Sequence, residues 1–165
     1  MLKFILMIIE IFQDALFSAI AAIGFAAISR PPRTAYLYCA FIAAVGHSLR
    51  FLLLNYDTGM HIIPATLIAS FVIGILAVVV SPLSKIPAET YLFPSLLPMV
   101  PGVYAYKTFA GLAMCLFSES PEAFDHNFYL FGYNAITCGC ILLCMVTGAV
   151  SPIFMLKKIS FQATR

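Results

Sequence analysis

The 165-residue sequence is 62% hydrophobic and only 10% charged, with a net charge of +2. So few charges cannot cover the surface of a soluble domain of this size, which excludes a soluble enzyme, and the small net charge gives no basis for binding nucleic acid. The composition therefore indicates an integral membrane protein in contact with the lipid bilayer.

Five apolar segments are each long enough to cross a membrane as a helix, since a hydrocarbon core about 30 Å thick needs about 20 helical residues. In chain order they are Phe4 to Ile28, Ala35 to Leu54, Ile62 to Val80, Phe93 to Leu116 and Phe128 to Val150. We expect an all-α integral membrane protein, a bundle of five transmembrane helices in a single domain over residues 1–165. The segment after Lys3 is too short before Glu10 for the apolar region of a signal peptide, so we expect a retained first span.

Four polar stretches separate these segments and carry residues that stop helices. They are RPPRT at 30–34, NYDTGMH at 55–61, SPLSKIPAE at 81–89 and SESPEAFDHN at 118–127. Because these connections are short, consecutive helices should be antiparallel neighbours. Within the third segment, Ser70 and Gly74 form a pair of small residues four apart, which suits close helix packing.

The charges in the connections predict the orientation. One side carries the basic residues Arg30, Arg33, Lys85, Lys157, Lys158 and Arg165. The other side carries Lys3 together with the acidic residues Asp57, Glu119, Glu122 and Asp125. Cytoplasmic loops are enriched in lysine and arginine, so we expect the N-terminus outside and the C-terminus inside.

The five cysteines all fall in apolar stretches, without the paired spacing of a disulfide framework. Cys138 and Cys140 form a C-x-C pair, but residues two apart on a helix point to different faces. We interpret the cysteines as packing residues, and the sequence predicts neither a metal site nor a cofactor.

Polar residues also occur inside the first two segments. Glu10, Gln13 and Asp14 share one helical face, which Ala21 and Gly24 extend, and His47 and Arg50 share a face of the second segment. Each ionisable group at this depth costs on the order of 3 kcal/mol, so the two faces should contact protein or water rather than lipid. We expect them to face each other.

Depth along the helices suggests how the charges pair. At about 1.5 Å per residue, Glu10 and Arg50 lie about 9 Å and 6 Å from the outer end, and Asp14 and His47 about 15 Å and 11 Å. The expected pairs are therefore Glu10 with Arg50 and Asp14 with His47. Three interpretations stay open at this point: a static ion-pair network that orients the two helices, an Arg50 that only extends to the outer surface, or a substrate or proton site.

The fourth segment contains PMVPGVYAYK at 98–107, which is unusual for a membrane-spanning helix. Pro98 and Pro101 each remove a backbone donor and Gly102 is conformationally permissive, so the helix should kink or break there. Unpaired backbone groups are tolerated at membrane depth where they line a cavity or are buried in protein, and a helix restarting beyond them favours a carboxylate. Lys107 would add positive charge or lie on the outer flank, and a simple kink in a packed helix is the alternative.

Three stretches resemble the threonine/serine exporter (ThrE) family: FQDALFSAIAAIGFA at 12–26, GHSLR at 46–50 and PMVPGVYAY at 98–106. In length and layout the chain is similar to the small YjjB-type subunit of split members. The resemblance implies the C-terminal half of a ten-span exporter in the bacterial inner membrane. It also implies a larger YjjP-type subunit as partner, and a small carboxylate such as threonine, serine or succinate as substrate. Association between copies of the chain is left open.

The motifs and the physical argument together define two sets of candidate site residues. The substrate-binding candidates are Arg50, Pro98, Pro101, Gly102, Tyr106 and Lys107. The proton-coupling or ion-pair candidates are Glu10, Asp14 and His47. Of these, Lys107 and Glu10 fall outside the motifs of the family and rest on the physical argument alone.

Two other classes of function compete with an exporter subunit. The chain could be a membrane partner without transport activity, whose intramembrane charges serve helix assembly only. An intramembrane enzyme is disfavoured because there is no H-E-x-x-H motif, and because the neighbours His47 and Ser48 point in different directions on a helix. We therefore expect that the protein is not an enzyme.

Overall fold

The computed structural model describes residues 2–55 and 59–156, and this part of the chain folds into six α-helices without any strand. The all-α prediction is therefore confirmed. The helices are α1 (Leu2–Ser29), α2 (Arg33–Asn55), α3 (Ile62–Ser84), α4 (Ala88–Leu96), α5 (Gly102–Leu116) and α6 (Pro121–Met155), and a single 3₁₀ turn (Leu97–Met99) follows α4.

Four of these helices, α1, α2, α3 and α6, are long and apolar enough to cross a membrane. Together they indicate a multi-pass membrane protein. The predicted fourth span is instead divided between α4 and α5, which are 9 and 15 residues long. Five crossings therefore remain a prediction. The orientation, with the N-terminus outside, also remains a prediction. Four of the charged residues on which it depends lie outside the described residues, namely Asp57, Lys157, Lys158 and Arg165.

The break in the predicted fourth span lies where the prolines are. Val100 and Pro101 are not helical, and α5 begins at Gly102. Pro101 has no N–H to donate to the preceding turn, and the Gly102 N–H donates to the Val100 carbonyl at 2.8 Å. The bond that a continuous helix would make from Gly102 to the Pro98 carbonyl is therefore replaced by this tight turn.

The chain divides into two compact units. The larger unit comprises residues 1–99 and 144–165, and the smaller comprises residues 100–143. In the larger unit α2 is central, since it packs against α1, α3 and α4. Its packing face consists mainly of small side chains, including Ala35, Cys39, Ala43 and Gly46, which allow close approach of the neighbouring helices.

Two connections are shorter than the sequence predicted. The segment 118–127 was expected to be a loop, but most of it is the first part of α6. Ser120 caps this helix, because its Oγ accepts a hydrogen bond from the Ala123 N–H at 3.2 Å, and Pro121 occupies the first helical position, where a missing N–H costs nothing. Likewise α3 continues past Pro82 to Ser84 and stops at Lys85, which adopts a left-handed conformation.

The small-residue pair on α3 does mediate close helix packing, as predicted. Within the larger unit, α3 contacts the C-terminal part of α6, where Ser70 Oγ donates to the Cys144 carbonyl at 3.3 Å. A Cβ atom on Gly74 would overlap with the Ala149 carbonyl oxygen, and one on Gly148 would overlap with Ser70 Oγ. The two helices are therefore in backbone contact.

We expect Gly74→Ala and Gly148→Ala each to destabilise the protein, because the added methyl group forces the helices apart at an estimated cost of about 1–3 kcal/mol. Gly132→Ala is the matched control, since Gly132 also lies on α6 and a Cβ atom there would meet nothing within 4 Å. Thermal unfolding in detergent measures the effect. If Gly74→Ala and Gly148→Ala both unfold at the same temperature as Gly132→Ala, this result would contradict the backbone contact between the two helices.

Candidate functional site

The candidate site lies in the larger unit, where polar side chains of α1 and α2 meet the end of the 3₁₀ turn. Asp14 on α1 and His47 on α2 form a hydrogen-bonded pair, which is an ion pair when His47 is protonated, with His47 Nδ1 at 2.6 Å from Asp14 Oδ2. Because the carboxylate can only accept, the Nδ1 atom carries the proton and donates it. The side chains of His47 and Asp14 are 16% and 26% exposed, so the pair is half-buried and reachable from a cavity.

His47 and Arg50 also contact backbone carbonyls at the helix break. His47 Nε2 lies 3.1 Å from the Pro98 carbonyl oxygen, and Arg50 Nη1 donates to the Met99 carbonyl at 2.9 Å. In a continuous helix these two carbonyls would accept from residues 102 and 103. The break frees them; Arg50 takes the place of the missing backbone donor at Met99, and His47 can do the same at Pro98 when it is protonated on both nitrogens.

His47 Nε2 has two neighbours with opposite requirements. Besides the Pro98 carbonyl, Arg50 Nη2 lies 3.2 Å from Nε2. A neutral His47 with its proton on Nδ1 can accept from Arg50, whereas a protonated His47 can donate to the carbonyl and repels the guanidinium. The protonation state of His47 therefore decides which of the two contacts is favourable.

A cavity of about 230 Å³ opens beside the ion pair and is lined by Asp14, Phe17, Ser18, Ala21, His47 and Pro98. This volume equals roughly eight water molecules at about 30 Å³ each, which is enough for a small metabolite. Ser18 is 4% exposed, and its hydroxyl donates to the Ala15 carbonyl at 3.0 Å, so its oxygen can still accept. The lining thus combines apolar residues with an acid, a base and a hydroxyl.

Two of the predicted polar residues of α1 do not join this site. Glu10 and Gln13 are exposed, and among the described residues Glu10 forms no ion pair with Arg50. The expected Glu10–Arg50 pair is therefore absent, because the guanidinium turns to the Met99 carbonyl freed by the break. The buried face of α1 runs through Ser18, Ala22 and Ala26, whereas in the predicted stripe Ala21 is half-buried and Gly24 is exposed.

The remaining predicted site residues, Pro101, Gly102, Tyr106 and Lys107, belong to the smaller unit. Tyr106 and Lys107 are exposed on α5, and Pro101 is buried at its start. The larger unit thus brings Asp14, His47, Arg50 and Pro98 together.

Ser18 and the Met99 carbonyl are parts of the site that the sequence argument did not identify. Ser18 could have been found, since it follows Asp14 by one helical turn. The Met99 carbonyl could not have been found, because every residue has a backbone carbonyl and the sequence does not show which one is free to accept. Within residues 2–55 and 59–156, no three His, Cys, Asp or Glu side chains are placed to hold a metal ion.

Comparison with known proteins identifies the family. The profile described as "Threonine/Serine exporter, ThrE" matches residues 14–155. The chain belongs to the threonine/serine exporter family. Asp14 is the first residue of the region that this exporter family matches, and Glu10, which does not join the site, precedes it.

One curated relative of this chain is a Haemophilus influenzae strain Rd protein described as an uncharacterized protein. The two are 35% identical over 142 residues, which cover 81% of this chain and 46% of the relative. The chain therefore spans about half the length of the curated relative it matches. No solved structure is significantly similar to it.

Proposed function

We propose that the chain is the small membrane subunit of a secondary exporter that moves threonine, serine or a related carboxylate-bearing metabolite out of the cell. The observation that carries this proposal is the chain of contacts from Asp14 through His47 and Arg50 to the carbonyls of an interrupted helix, beside a cavity of metabolite size. Ionisable groups and interrupted helices at membrane depth recur at the binding sites of transporters.

We propose that a larger YjjP-type membrane protein supplies the other half of the exporter. The relative in Haemophilus influenzae supports this, because this chain accounts for only 46% of its length. In this arrangement α4 and α5 together supply a fourth crossing, and the basic connections at Arg30, Arg33 and Lys85 lie in the cytoplasm. The chain then crosses the bacterial inner membrane five times, with its N-terminus outside.

The cavity favours an amino acid over a dicarboxylate. Asp14 would bind an ammonium group, and the hydroxyl of Ser18 would accept from the side-chain hydroxyl of threonine or serine. The substrate carboxylate would be held by protonated His47 and by Arg50 if the guanidinium leaves the Met99 carbonyl. Succinate has no ammonium group, so one of its carboxylates would face Asp14 and be repelled.

The same contacts provide a means of coupling export to a proton. A proton that binds Nε2 of His47 weakens its contact with Arg50 and strengthens its contact with the Pro98 carbonyl at the break. Histidine is the residue type that exchanges a proton near neutral pH, and the charged groups facing it are Asp14 from α1 and Arg50 from α2. Proton binding and helix position would therefore be linked.

The test is export from cells that carry the gene in its native genomic setting, with threonine, serine and succinate measured in the medium. We expect deletion of the gene to raise intracellular threonine or serine and lower its release, and Arg50→Ala to reproduce the deletion. Arg50→Lys should be intermediate, since lysine keeps the charge but cannot contact Met99 and His47 with two nitrogens. Normal release of all three metabolites by Arg50→Ala, at normal protein abundance, would reject the site.

A non-transporting assembly partner is the competing function, and a double substitution separates the two. If Asp14 and His47 only orient α1 against α2, Asp14→Leu with His47→Leu should leave both assembly and export intact. If they form the site, the double variant should assemble but export nothing.

A further inference from the structure

The smaller unit contains a cavity of its own, with a volume of about 360 Å³. It lies between α5 and α6, and its polar lining comes from Lys107 on α5 and from Tyr133 and Asn134 on α6, while the rest is apolar or glycine. At Gly111 the two helices approach closely, since a Cβ atom there would lie 3.0 Å from the Phe131 nitrogen. Gly111 is itself part of the lining.

The polar groups of this cavity favour an anion. Lys107 offers the donors of an ammonium group, and Tyr133 offers a hydroxyl. Asn134 is only 6% exposed, and its Nδ2 donates one hydrogen to the Leu130 carbonyl at 2.7 Å, which leaves a second N–H. Unlike the cavity of the larger unit, which contains Asp14, this lining has no acidic residue.

Within the described residues Lys107 forms no ion pair with an acidic side chain. The ion pair found there joins Asp14 and His47. The acidic residues of the smaller unit, Glu119, Glu122 and Asp125, follow the end of α5, and about 14 Å of helix separates Lys107 from Leu116. An uncompensated ammonium group between apolar stretches of a membrane helix is unfavourable, so an anion bound there is favoured.

We propose that Lys107, Asn134 and Tyr133 form a second site for small carboxylates, separate from the Asp14–His47 site. The ammonium group of Lys107 and the second amide N–H of Asn134 would both donate to the same carboxylate of the ligand. The apolar lining would contact a short carbon chain. The proposal rests on the proposed function for the identity of the natural ligand and for the position of α5 in the membrane. A dicarboxylate, which Asp14 disfavours, meets no acidic residue here.

The test is protection of Lys107 from acetylation in the purified full-length chain, with and without its larger partner, read by mass spectrometry. We expect succinate and threonine to slow acetylation of Lys107 at least about fivefold, and threoninol, which has no carboxylate, to have no effect. Lys85, an exposed residue beyond the end of α3, reports the intrinsic rate of the reaction. Asn134→Leu should raise the succinate concentration for half-protection about tenfold.

The outcomes separate this site from the proposed function. Protection that persists in Asp14→Asn supports an independent site, even if export measurements reject the exporter function. Absence of protection, or equal protection by threoninol, overturns the second site whatever the export result. Loss of protection in Asp14→Asn would mean that Lys107 belongs to the first site. Acetylation that is blocked by the partner in the absence of any ligand would show that an acidic group of the partner covers Lys107, and would also overturn the proposal.

Discussion

Asp14→Asn is expected to lower threonine export roughly 10- to 100-fold while leaving the protein folded in the membrane. The substitution keeps the shape of the side chain but replaces a charge-assisted hydrogen bond to His47, which is worth about 1.5–3 kcal/mol, or one to two factors of ten. It also removes the group that would bind the ammonium of the substrate. Efflux of labelled threonine from cells preloaded with it measures the effect.

Glu10→Gln is the control for this experiment. Glu10 is an acid on the same helix, one turn before Asp14, but it is exposed and outside the matched family region. Its substitution should leave efflux within about twofold of the wild type, since it removes no contact of the site. Equal losses in both variants would indicate that the charge of α1, rather than the pair with His47, determines export.

Restoring the interrupted helix is expected to have an effect of similar size. In the double variant Pro98→Ala with Pro101→Ala, residue 101 regains an N–H, and the chain from α4 to α5 can continue as one helix. Its backbone would then engage the Pro98 and Met99 carbonyls, and His47 and Arg50 would lose their acceptors. We expect at least about a tenfold loss of threonine efflux without loss of thermal stability.

Pro82→Ala is the matched control for the helix break. Pro82 is an exposed proline inside α3, which continues past it, so its replacement changes no break and no site contact. Export should be unchanged in this variant. If the double variant also exports normally and circular dichroism shows a gain in helix, the break has no role in transport.

The sequence predicted the parts of the site that follow from helix periodicity and proline chemistry. The helical faces that carry Asp14 and His47, with their depths at about 1.5 Å per residue, predicted their pairing, which the structure shows at 2.6 Å. The prolines predicted the interruption between α4 and α5. Both rest on local rules, namely the period of a helix and the missing donor of proline, which need no knowledge of the tertiary structure.

The parts that could not be predicted depend on contacts between distant segments. Depth suggested Glu10 as the partner of Arg50, but the freed Met99 carbonyl is a strong acceptor whose position only the folded chain defines. The helical start of α6 was missed because a Ser-Pro pair caps a helix as readily as it ends one. The donor set of Lys107 and Asn134 comes together only when α5 packs on α6.

The nitrogen chemical shifts of the His47 imidazole provide the most direct measurement, in protein labelled with ¹⁵N-histidine and titrated with threonine. His61 and His126, the other two histidines of the chain, are internal controls, and His47→Gln assigns the signal. We predict that threonine shifts the Nε2 resonance of His47 while the signals of the two controls stay fixed. A His47 signal that does not change at saturating threonine, in protein that exports threonine, would contradict the assignment of the site.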